Sequence, residues 1–350
     1  MRFEFYHSGL NDTPKLSVDG TVSNSIHFSH WEGNHTPASV KADTSTEIAL
    51  NLVASPEREH LTKGIELVTN NHFDTDGVLS VWTVLKGERA VELREKLIAA
   101  AEAGDFSEYS SRDGVRASIV IQGSDAVIPG EDAGSPLARH LAGKGVADEA
   151  RSYELILSEV ENVLRRTDDY EFLWRDVWQR VEAALESFAR GESSVEEDEA
   201  SRASLVTLAP GLYGSEGFSP TRHAAPFTAI SANARGQLFL IALPMMNGWG
   251  YRVDYPYYSW AETIVRPQIS RRDFSSLASR LNELERSKAD GTGTRGSWTL
   301  DGSEMASAFK FLDQSGMIAA STLSPEIVFE EIGAELTASA TANTGAAHSG

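Results

Sequence analysis

Short strand-like segments alternate with segments of helical periodicity over the N-terminal third of the chain, and this order constrains the fold more than any other feature. The segments "KLSVDG", "NSIHF" and "IELVT" have the composition of short strands. The segments "DTSTEIALNLVAS", "GVLSVWTVL" and "AVELREKLIAAAEA" have apolar residues at helical spacing. Because helices that alternate with strands connect parallel strands, this part is predicted to be α/β, with a largely parallel sheet flanked by helices.

The rest of the chain is predicted to contain a helical middle and a mixed α+β C-terminal part. Residues 149–190 have few helix breakers, and the acidic segment "GESSVEEDEAS" after them is predicted to be a loop and a boundary. The runs "ASLVTLA", "FTAISA" and "QLFLIALPM" are predicted strands. The predicted domains are an α/β domain with the acidic site (1–148), a helical segment with the acidic loop (149–200), an α+β part (201–335) and a disordered tail (336–350).

The composition excludes several classes of site and partner. The 350 residues carry a formal net charge of −20, which disfavours stable binding to duplex nucleic acid because phosphate binding needs a basic surface. The chain has no cysteine, so disulfides, thiolate catalysis and iron–sulfur clusters are excluded. The segment "MRFEFYHSGL" is unlike a signal peptide, and no apolar run reaches the roughly 18 residues of a membrane helix. We therefore expect a cytoplasmic protein without a membrane partner.

The segment "HFDTDG" places His72, Asp74 and Asp76 at alternate positions, directly after a predicted strand and before Gly77. Alternate side chains of an extended chain point to the same side, so these three are predicted to lie together. Two adjacent carboxylates repel each other unless a cation lies between them. The carboxyl end of a strand is also where open α/β sheets bind ligands. The pattern therefore indicates a metal site, although an Asp-x-Asp-Gly segment also forms simple turns.

The segment "HFDTDGVLS" resembles the first motif of the DHH phosphoesterases, in which an acid or histidine, an aspartate and an Asp-Gly pair follow a strand. The resemblance implies that His72, Asp74 and Asp76 are ligands in a site for two divalent ions. It also implies hydrolysis of a phosphodiester or phosphoanhydride, with Asp74, Asp76 and His30 as the catalytic residues. Imidazole and carboxylate together favour Mn²⁺ over Mg²⁺. The Asp-His-His triplet that gives this family its name is absent after residue 76.

Residues upstream of this motif are candidates for the rest of the metal site. The segment "LSVDG" contains Asp19 and "HFSHWEGNHTP" contains His30, in the order in which the second and third DHH motifs usually come. Asp43, in "DTSTEIAL", is a further candidate ligand, and its alternative role is that of a helix N-cap. The resemblance therefore implies a rearranged, circularly permuted site in which Asp19 and His30 converge with the downstream aspartates.

Two alternatives to a DHH-like enzyme remain open. The segment "FDTDGVL" also resembles the first motif of haloacid-dehalogenase-like phosphatases, which implies Asp74 as the nucleophile and Asp76 as the acid–base. That mechanism needs a further acidic pair, for which Asp168 and Asp169 are candidates on a predicted helix. The other alternative is a protein that binds a metal or ligand without catalysis, which the absent Asp-His-His triplet favours.

Three basic residues are candidates for binding the substrate, which is predicted to be a small phosphorylated molecule or a short oligonucleotide. Arg252 lies in the aromatic segment "YRVDYPYYSW", and Arg222 and His223 lie in a predicted loop. The planar fork of an arginine suits a phosphate group. The segments "SHWEGNHTP", "NNHFDTDGVLSVW" and "YRVDYPYYSW" together resemble a family of uncharacterised bacterial proteins, and this second resemblance implies no activity.

Overall fold

The computed structural model describes residues 1–123, 134–146, 148–213, 227–288, 296–302 and 305–346. The chain forms two compact units. The first unit consists of residues 1–179 together with 260–268, and the second consists of residues 180–259 and 269–350. The first unit thus includes a short segment from late in the chain, which the order of elements in the sequence does not indicate.

The first unit contains a sheet of four parallel strands. The strands are β1 (Arg2–Phe3), β2 (Lys15–Val18), β3 (Ser25–Phe28) and β4 (Leu67–Thr69). Their order in the sheet is β1-β4-β2-β3, and every neighbouring pair is parallel. Leu16, Val18 and Val68 have no exposed surface, as is usual for the inner strands of a parallel sheet. The predicted parallel α/β layer is confirmed.

Helices follow β3 and β4 in the chain, and one of them packs against three strands of the sheet. The helices are α1 (Ser45–Ala54), α2 (Arg58–Leu61), α3 (Thr75–Lys86), α4 (Glu88–Val91), α5 (Arg94–Asp105), α6 (Arg112–Ile121), α7 (Pro136–Ala142), α8 (Glu149–Ile156), α9 (Val160–Arg165) and α10 (Glu171–Ala189). Helix α3 contacts β1, β2 and β4. Thr44, Asp74 and Ser111 cap α1, α3 and α6, because each side chain accepts a hydrogen bond from a backbone N–H of the first turn. Gly114 lets α6 approach α5 closely, since a Cβ there would lie 2.7 Å from the backbone of Ala99.

The second unit contains a mixed sheet of six strands. The strands are β5 (Ser194–Asp198), β6 (Ala203–Thr207), β7 (Leu238–Met245), β8 (Gly248–Asp254), β9 (Ser297–Leu300) and β10 (Ser307–Leu312). In the order β5-β6-β7-β8-β10-β9, β6 and β7 are parallel and the other pairs are antiparallel. Leu240 and Ala242 of β7 belong to one core cluster and Phe239 and Ile241 to another, so both faces of the sheet are covered.

The helical middle and the mixed C-terminal part are as predicted, with local differences. The segment "FTAISA" begins α11 (Phe227–Asn233) and is not a strand. The acidic segment predicted as a loop contains β5, an edge strand, where charged residues are well tolerated. Two further helices follow, α12 (Ser275–Lys288) and α13 (Pro325–Ala346). Residues 336–346, which the sequence assigned to a disordered tail, belong to α13, and the two units divide at residue 179 within α10.

Candidate metal centre

Several of the predicted site residues lie at the carboxyl ends of parallel strands. Asp19 directly follows β2, His30 lies in the loop after β3, and His72 and Asp74 lie between β4 and α3. Because the strands are parallel, these ends lie at the same edge of the sheet. Asp19 has a φ angle of +51°, which is uncommon for a residue with a side chain. Such backbone conformations are concentrated at functional sites, where the surrounding structure holds them in place.

Asp19, His30, Asp76 and Asp105 form a group that we call the deep cluster. The distances from His30 Nε2 are 3.0 Å to Asp105 Oδ2, 3.3 Å to Asp19 Oδ1 and 3.7 Å to Asp76 Oδ2. The side chain of Asp105 is 8% exposed, and the other three have no exposed surface. Carboxylates and imidazole are donors that first-row divalent ions bind, so the deep cluster has the composition of a buried metal site.

His30 has the orientation of a metal-binding histidine. Its Nδ1 donates a hydrogen bond to the backbone carbonyl of Asp43 at 2.6 Å, which leaves Nε2 with its lone pair when the ring is neutral. His30 Nε2 and Asp105 Oδ2 face each other, and each is buried without a hydrogen-bond partner among the described residues. Buried polar atoms are nearly always satisfied, and a ligating histidine commonly donates its other N–H to a carbonyl. A shared cation would satisfy both atoms.

Asp19, His72 and Asp74 form a second group, the open cluster. His72 Nε2 lies 2.8 Å from Asp74 Oδ2 and 3.1 Å from Asp19 Oδ2. The ring is held by Asn71, whose Oδ1 lies 3.1 Å from Nδ1, and the backbone by Tyr153, whose hydroxyl donates to the His72 carbonyl at 3.1 Å. The side chains of His72 and Asp74 are 28% and 18% exposed, so solvent reaches this cluster more readily than the deep one.

Asp19 joins the two clusters through its two carboxylate oxygens. Oδ1 lies 3.3 Å from His30 Nε2, and Oδ2 lies 3.1 Å from His72 Nε2. The hydroxyl of Ser45 donates a hydrogen bond to Oδ1 at 2.8 Å, which fixes the orientation of the carboxylate. A carboxylate that offers one oxygen to each of two neighbouring groups is the arrangement expected for a ligand shared by two ions.

Asp74 and Asp76 also stabilise the starts of two helices. Asp74 Oδ1 accepts a hydrogen bond from the Gly77 N–H at 2.7 Å and so caps α3. Asp76 lies in the first turn of α3, and its oxygens accept from the N–H groups of Ser45 and Thr46 at the start of α1, each at 2.7 Å. The predicted extended geometry is therefore wrong for Asp76. The side chains of the motif meet because the chain turns into a helix, and not because they alternate along a strand.

Burial and mutual repulsion raise the pKa of most carboxyl groups in the clusters. Burial is the largest cause for Asp74, Asp76 and Asp105, and neighbouring negative charge adds to it. The pKa of Asp76 rises to about 7. Asp19 differs, because the two neighbouring imidazoles outweigh its burial and lower its pKa. Carboxylates of this kind are stable in the charged form only beside a positive charge.

Both imidazoles supply positive charge in the metal-free protein. Burial alone would lower the pKa of His30, but Asp105 and Asp19 outweigh it and raise the pKa well above its usual value. Burial would likewise lower the pKa of His72, but Asp74 and Asp19 raise it to about 11. A metal ion binds the deprotonated ligand, so a cation would take the place of these protons.

Aromatic side chains surround the two imidazoles. The ring of Trp260 lies 4.9 Å from that of His30, and the ring of Trp31 lies 5.5 Å from that of His72, measured between centroids. The two indoles are 4.7 Å apart and both are half-buried. Phe106 lies 5.6 Å from His30 on the buried side. These rings pack against the imidazoles and contribute to their burial.

Asp43 lies outside both clusters. Its carboxylate accepts hydrogen bonds from the backbone N–H groups of residues 264–266 and forms an ion pair with Arg266 at 2.8 Å. The N-cap of α1 is Thr44 and not Asp43. The prediction of Asp43 as a metal ligand is wrong, because its oxygens are taken up by backbone amides and a guanidinium. Asp43 acts on the site through its backbone carbonyl, which orients His30.

Of the three predicted phosphate-binding residues, Arg252 is the one that lies in the described part of the chain. Arg252 lies in β8 of the second unit, is 2% exposed and forms an ion pair with Asp254. A buried arginine that is held by a carboxylate is not available to a substrate, so the prediction for Arg252 is wrong. Arg222 and His223 lie outside the described residues.

Asp105 is the member of the deep cluster that the sequence did not reveal. It is the last residue of α5, where the helix dipole disfavours a carboxylate, and this unfavourable position is the one signal that the sequence contains. Gly104 lets the end of α5 approach the start of α3, because a Cβ at residue 104 would lie 2.5 Å from Thr75 Cβ. This close approach of α5 to α3 places the end of α5 beside the site, where Asp105 Oδ2 lies 3.0 Å from His30 Nε2.

A family model matches residues 2–342, and its description is "Family of unknown function (DUF6687)". The chain belongs to the DUF6687 family. No curated protein and no solved structure matches it. In the part of this DUF6687 chain that the structure describes, no helix has both the length and the apolar character needed to cross a membrane. The proposed function therefore rests on the two clusters.

Proposed function

We propose that the protein is a metal-dependent phosphoesterase that uses two divalent ions to hydrolyse a phosphodiester or a phosphoanhydride. The observation that carries the proposal is Asp19, which is shared by two adjacent groups of carboxylates and imidazoles. Within the described residues, the hydrogen bonds and ion pairs of these six side chains include no lysine or arginine. Two dications would balance four carboxylates, and the neutral imidazoles would complete the ligand sets.

In this proposal the deep cluster would hold one ion and the open cluster the other, and Asp19 would serve as a ligand in both. Bound ions supply Lewis-acid stabilisation of the charge that develops on a phosphoryl group and lower the pKa of water. The mixture of imidazole and carboxylate donors favours Mn²⁺ over Mg²⁺. The exposure of His72 and Asp74 supports the open cluster as the side on which substrate and water enter.

The surroundings support a small phosphorylated organic substrate or a short oligonucleotide. Trp31 and Trp260 present half-buried indole rings beside the open and deep clusters, and planar rings such as nucleobases stack on tryptophan. The net charge of −20 disfavours a duplex, which binds through many phosphates, whereas a short substrate needs only a few charges neutralised. Bound cations would provide that neutralisation locally.

The geometry gives no support to the haloacid-dehalogenase-like alternative. Asp168 is 77% exposed and forms an ion pair with Arg116, and Asp169 forms one with Arg166. Neither belongs to a cluster with Asp74. The acidic pair which that mechanism needs is thus missing from the candidate residues, and the two-metal reaction remains the proposal that accounts for the convergence of the six side chains.

The test begins with metal content. Protein purified without chelator is expected to retain divalent metal, and metal-stripped protein is expected to bind Mn²⁺ with a stoichiometry of two and to melt at higher temperature when loaded. Hydrolysis of a phosphodiester such as bis(4-nitrophenyl) phosphate, of dinucleotides and of pyrophosphate would then be assayed with Mn²⁺ and Mg²⁺. Asp168→Asn, an exposed aspartate outside both clusters, is the matched control for Asp76→Asn.

Each outcome of this test leads to a different conclusion. Diester or anhydride cleavage that depends on Mn²⁺ and is lost in Asp76→Asn supports the proposal. Phosphate trapped on Asp74 by rapid quenching would support the phosphatase alternative instead, because the two-metal reaction forms no phosphoenzyme. Two bound ions without hydrolysis would indicate a binding protein. Absence of metal binding would refute both enzyme interpretations and leave a protein that binds a ligand without catalysis.

A further inference from the structure

A segment from late in the chain packs against the deep cluster. Residues 260–268, which we call the strap, belong to the first unit although the residues on either side of them belong to the second. The strap contributes no ligand to either cluster. Its contacts nevertheless converge on His30 and on the segment around Asp105, the two residues whose buried atoms face each other without a hydrogen-bond partner in the described residues.

The first set of strap contacts holds the loop that carries His30. The backbone N–H of Glu262 donates to the carbonyl of His30 at 2.8 Å, and the ring of Trp260 packs on the imidazole. The carboxylate of Glu262 accepts hydrogen bonds from the Gly33 N–H at 3.0 Å and from Asn34 Nδ2 at 2.7 Å. The strap therefore fixes both the backbone and the side chain of this ligand.

The second set of contacts passes through Asp43. Its carbonyl accepts from His30 Nδ1, and its carboxylate accepts from three backbone N–H groups of the strap and from Arg266. Asp43 thus links the orientation of His30 to the strap, because its carbonyl contacts the imidazole and its carboxylate contacts the strap. A displaced strap would release Asp43, and the hydrogen bond that fixes the His30 tautomer would loosen with it.

The third set of contacts holds the segment that carries Asp105. Arg266 Nη2 lies 2.7 Å from Glu102, and Nε donates to Glu108 at 3.0 Å, so the guanidinium contacts a carboxylate on each side of Asp105 in the sequence. The guanidinium also lies over the ring of Phe106, with its carbon 5.0 Å from the centroid. One side chain therefore connects the end of α5 to Asp43.

We infer that Arg266 is a positioning residue for the metal centre and that it sets the separation of His30 and Asp105. This inference rests on the proposed metal site. The three carboxylates that Arg266 contacts lie on two segments, one that orients His30 and one that contains Asp105. A guanidinium has five N–H donors in a fixed plane and can hold three carboxylates at defined distances, which a lysine ammonium cannot do as well.

The test compares Mn²⁺ binding in the full-length wild type, Arg266→Gln and Arg266→Lys. Loss of an outer partner of a metal ligand typically weakens metal binding by roughly 10- to 100-fold, and we expect a loss of this size at the tighter site of Arg266→Gln. Arg266→Lys should recover part of it. Arg94→Gln is the matched control, because Arg94 also joins two elements of the first unit, by contacts to Glu47 and Asn51, but contacts no candidate ligand.

Three readouts separate positioning from general stability. Isothermal titration gives the affinity and stoichiometry, and the electron paramagnetic resonance spectrum of bound Mn²⁺ reports whether two ions remain coupled. Melting in EDTA measures the apo fold. We expect Arg266→Gln to lose the coupled spectrum, while its folded fraction at the titration temperature matches that of Arg94→Gln. If Arg266→Gln does not fold, Glu108→Gln removes one contact of the guanidinium and is expected to weaken the tighter site alone.

The outcomes distinguish this inference from the proposed function. Two ions bound in the wild type and equally tightly in Arg266→Gln, or in Glu108→Gln if that variant is needed, would overturn the positioning role and leave the phosphoesterase proposal intact. No Mn²⁺ binding in the wild type would overturn both. Equal weakening of the two sites, in parallel with a loss of apo stability, would overturn the inference by showing that Arg266 only stabilises the fold.

Discussion

The deep and open clusters use the same kinds of ligand but differ in burial and in completeness. The deep cluster combines three carboxylates and an imidazole, all buried or nearly so, whereas the open cluster has two carboxylates and a partly exposed imidazole. Closed metal sites hold their ion, and sites with a free position carry out chemistry. The comparison teaches that the deep ion would be a fixed part of the structure and the open ion would exchange and meet the substrate.

The two clusters also differ in how the chain assembles them. The residues of the open cluster lie at the end of β2 and in the short segment between β4 and α3, so each of them comes shortly after the end of a strand. The deep cluster needs the end of α5 and the strap, which lie far from β2 in the sequence. Many distant contacts must therefore form before the deep cluster exists, and substitutions far from it in sequence should affect its ion most.

The largest effect is expected for Asp19→Asn, because Asp19 belongs to both clusters. Asparagine tolerates the positive φ of this position, so the fold should persist. The neutral amide cannot bridge two ions, and we expect both sites to weaken by more than the roughly 100-fold seen when an outer partner is lost. Metal stoichiometry after dialysis would measure this. Retention of one tightly bound ion would contradict the assignment of Asp19 to both clusters, since Asp19 would then be a ligand in only one of them.

Smaller losses of metal binding, each confined to one of the two ions, are expected for His30→Gln and His72→Gln. We expect His30→Gln to lose the tightly held ion, because the buried Nε2 of His30 lies near three carboxylates of the deep cluster. His72→Gln should keep that ion, lose the weaker one and lose hydrolysis. Titration with Mn²⁺ and the hydrolysis rate of each variant would measure the difference. Identical losses in the two variants would show that the clusters bind as one unit and that the deep–open distinction is incorrect.

The third prediction concerns pH. The folded-state pKa of His72 is raised to about 11 and that of Asp76 to about 7, so the stability that protonation gives the metal-free protein is lost as pH rises through these values. Metal binding needs the deprotonated ligands, so the rise in melting temperature caused by Mn²⁺ should be larger at about pH 8 than at about pH 6. Melting curves with Mn²⁺ and with EDTA would measure it.

A matched control for the pH experiment is His140→Gln, which changes an exposed histidine outside both clusters. His140→Gln should keep the full pH dependence of the Mn²⁺-induced rise in melting temperature. His72→Gln should reduce the increase in that rise that occurs at pH values above the usual pKa range of histidine. A Mn²⁺-induced shift that stays constant or falls with pH would mean that protons and metal do not compete at these ligands.

The smallest effect on stability is expected for Asp74→Asn, because asparagine caps helices about as well as aspartate. The variant should keep the hydrogen bond to Gly77 and lose a negative charge from a repulsive cluster, so the apo protein should be as stable as the wild type or slightly more so. Metal binding at the open cluster should fall. Asp74→Ala, which removes the cap, should cost about 1 kcal/mol by chemical denaturation.

An equal loss of stability in Asp74→Asn and Asp74→Ala would contradict this prediction. It would show that the charge of Asp74, and not its cap, stabilises the fold, and the open cluster would then be a structural ion-pair network. Unfolding in EDTA keeps the contribution of metal out of the measurement.

The sequence predicted the parallel layer because the hydrophobic periodicity of strands and helices is a local property. The resemblance to the DHH motifs implied that Asp19, His30 and Asp74 lie near one another, and in the structure the parallel strands bring them to a common edge. The extended geometry predicted for Asp76 was incorrect, because the chain becomes helical directly after Asp74. Asp43 was assigned a role that its neighbour Thr44 and the strap rule out.

By itself, then, the sequence determined the α/β layer and the closeness of His72 to Asp74, because spacing of a few residues fixes both. Only the tertiary structure decided that Asp105 belongs to the deep cluster and that Arg266 forms ion pairs with Glu102 and Glu108, on either side of Asp105 in the sequence. Asp105 and Arg266 contact partners that lie far away along the chain, and such contacts leave no periodic or local signal in the order of amino acids. Arg252 was excluded for the same reason, because its burial against Asp254 depends on a sheet and not on its neighbours in sequence alone.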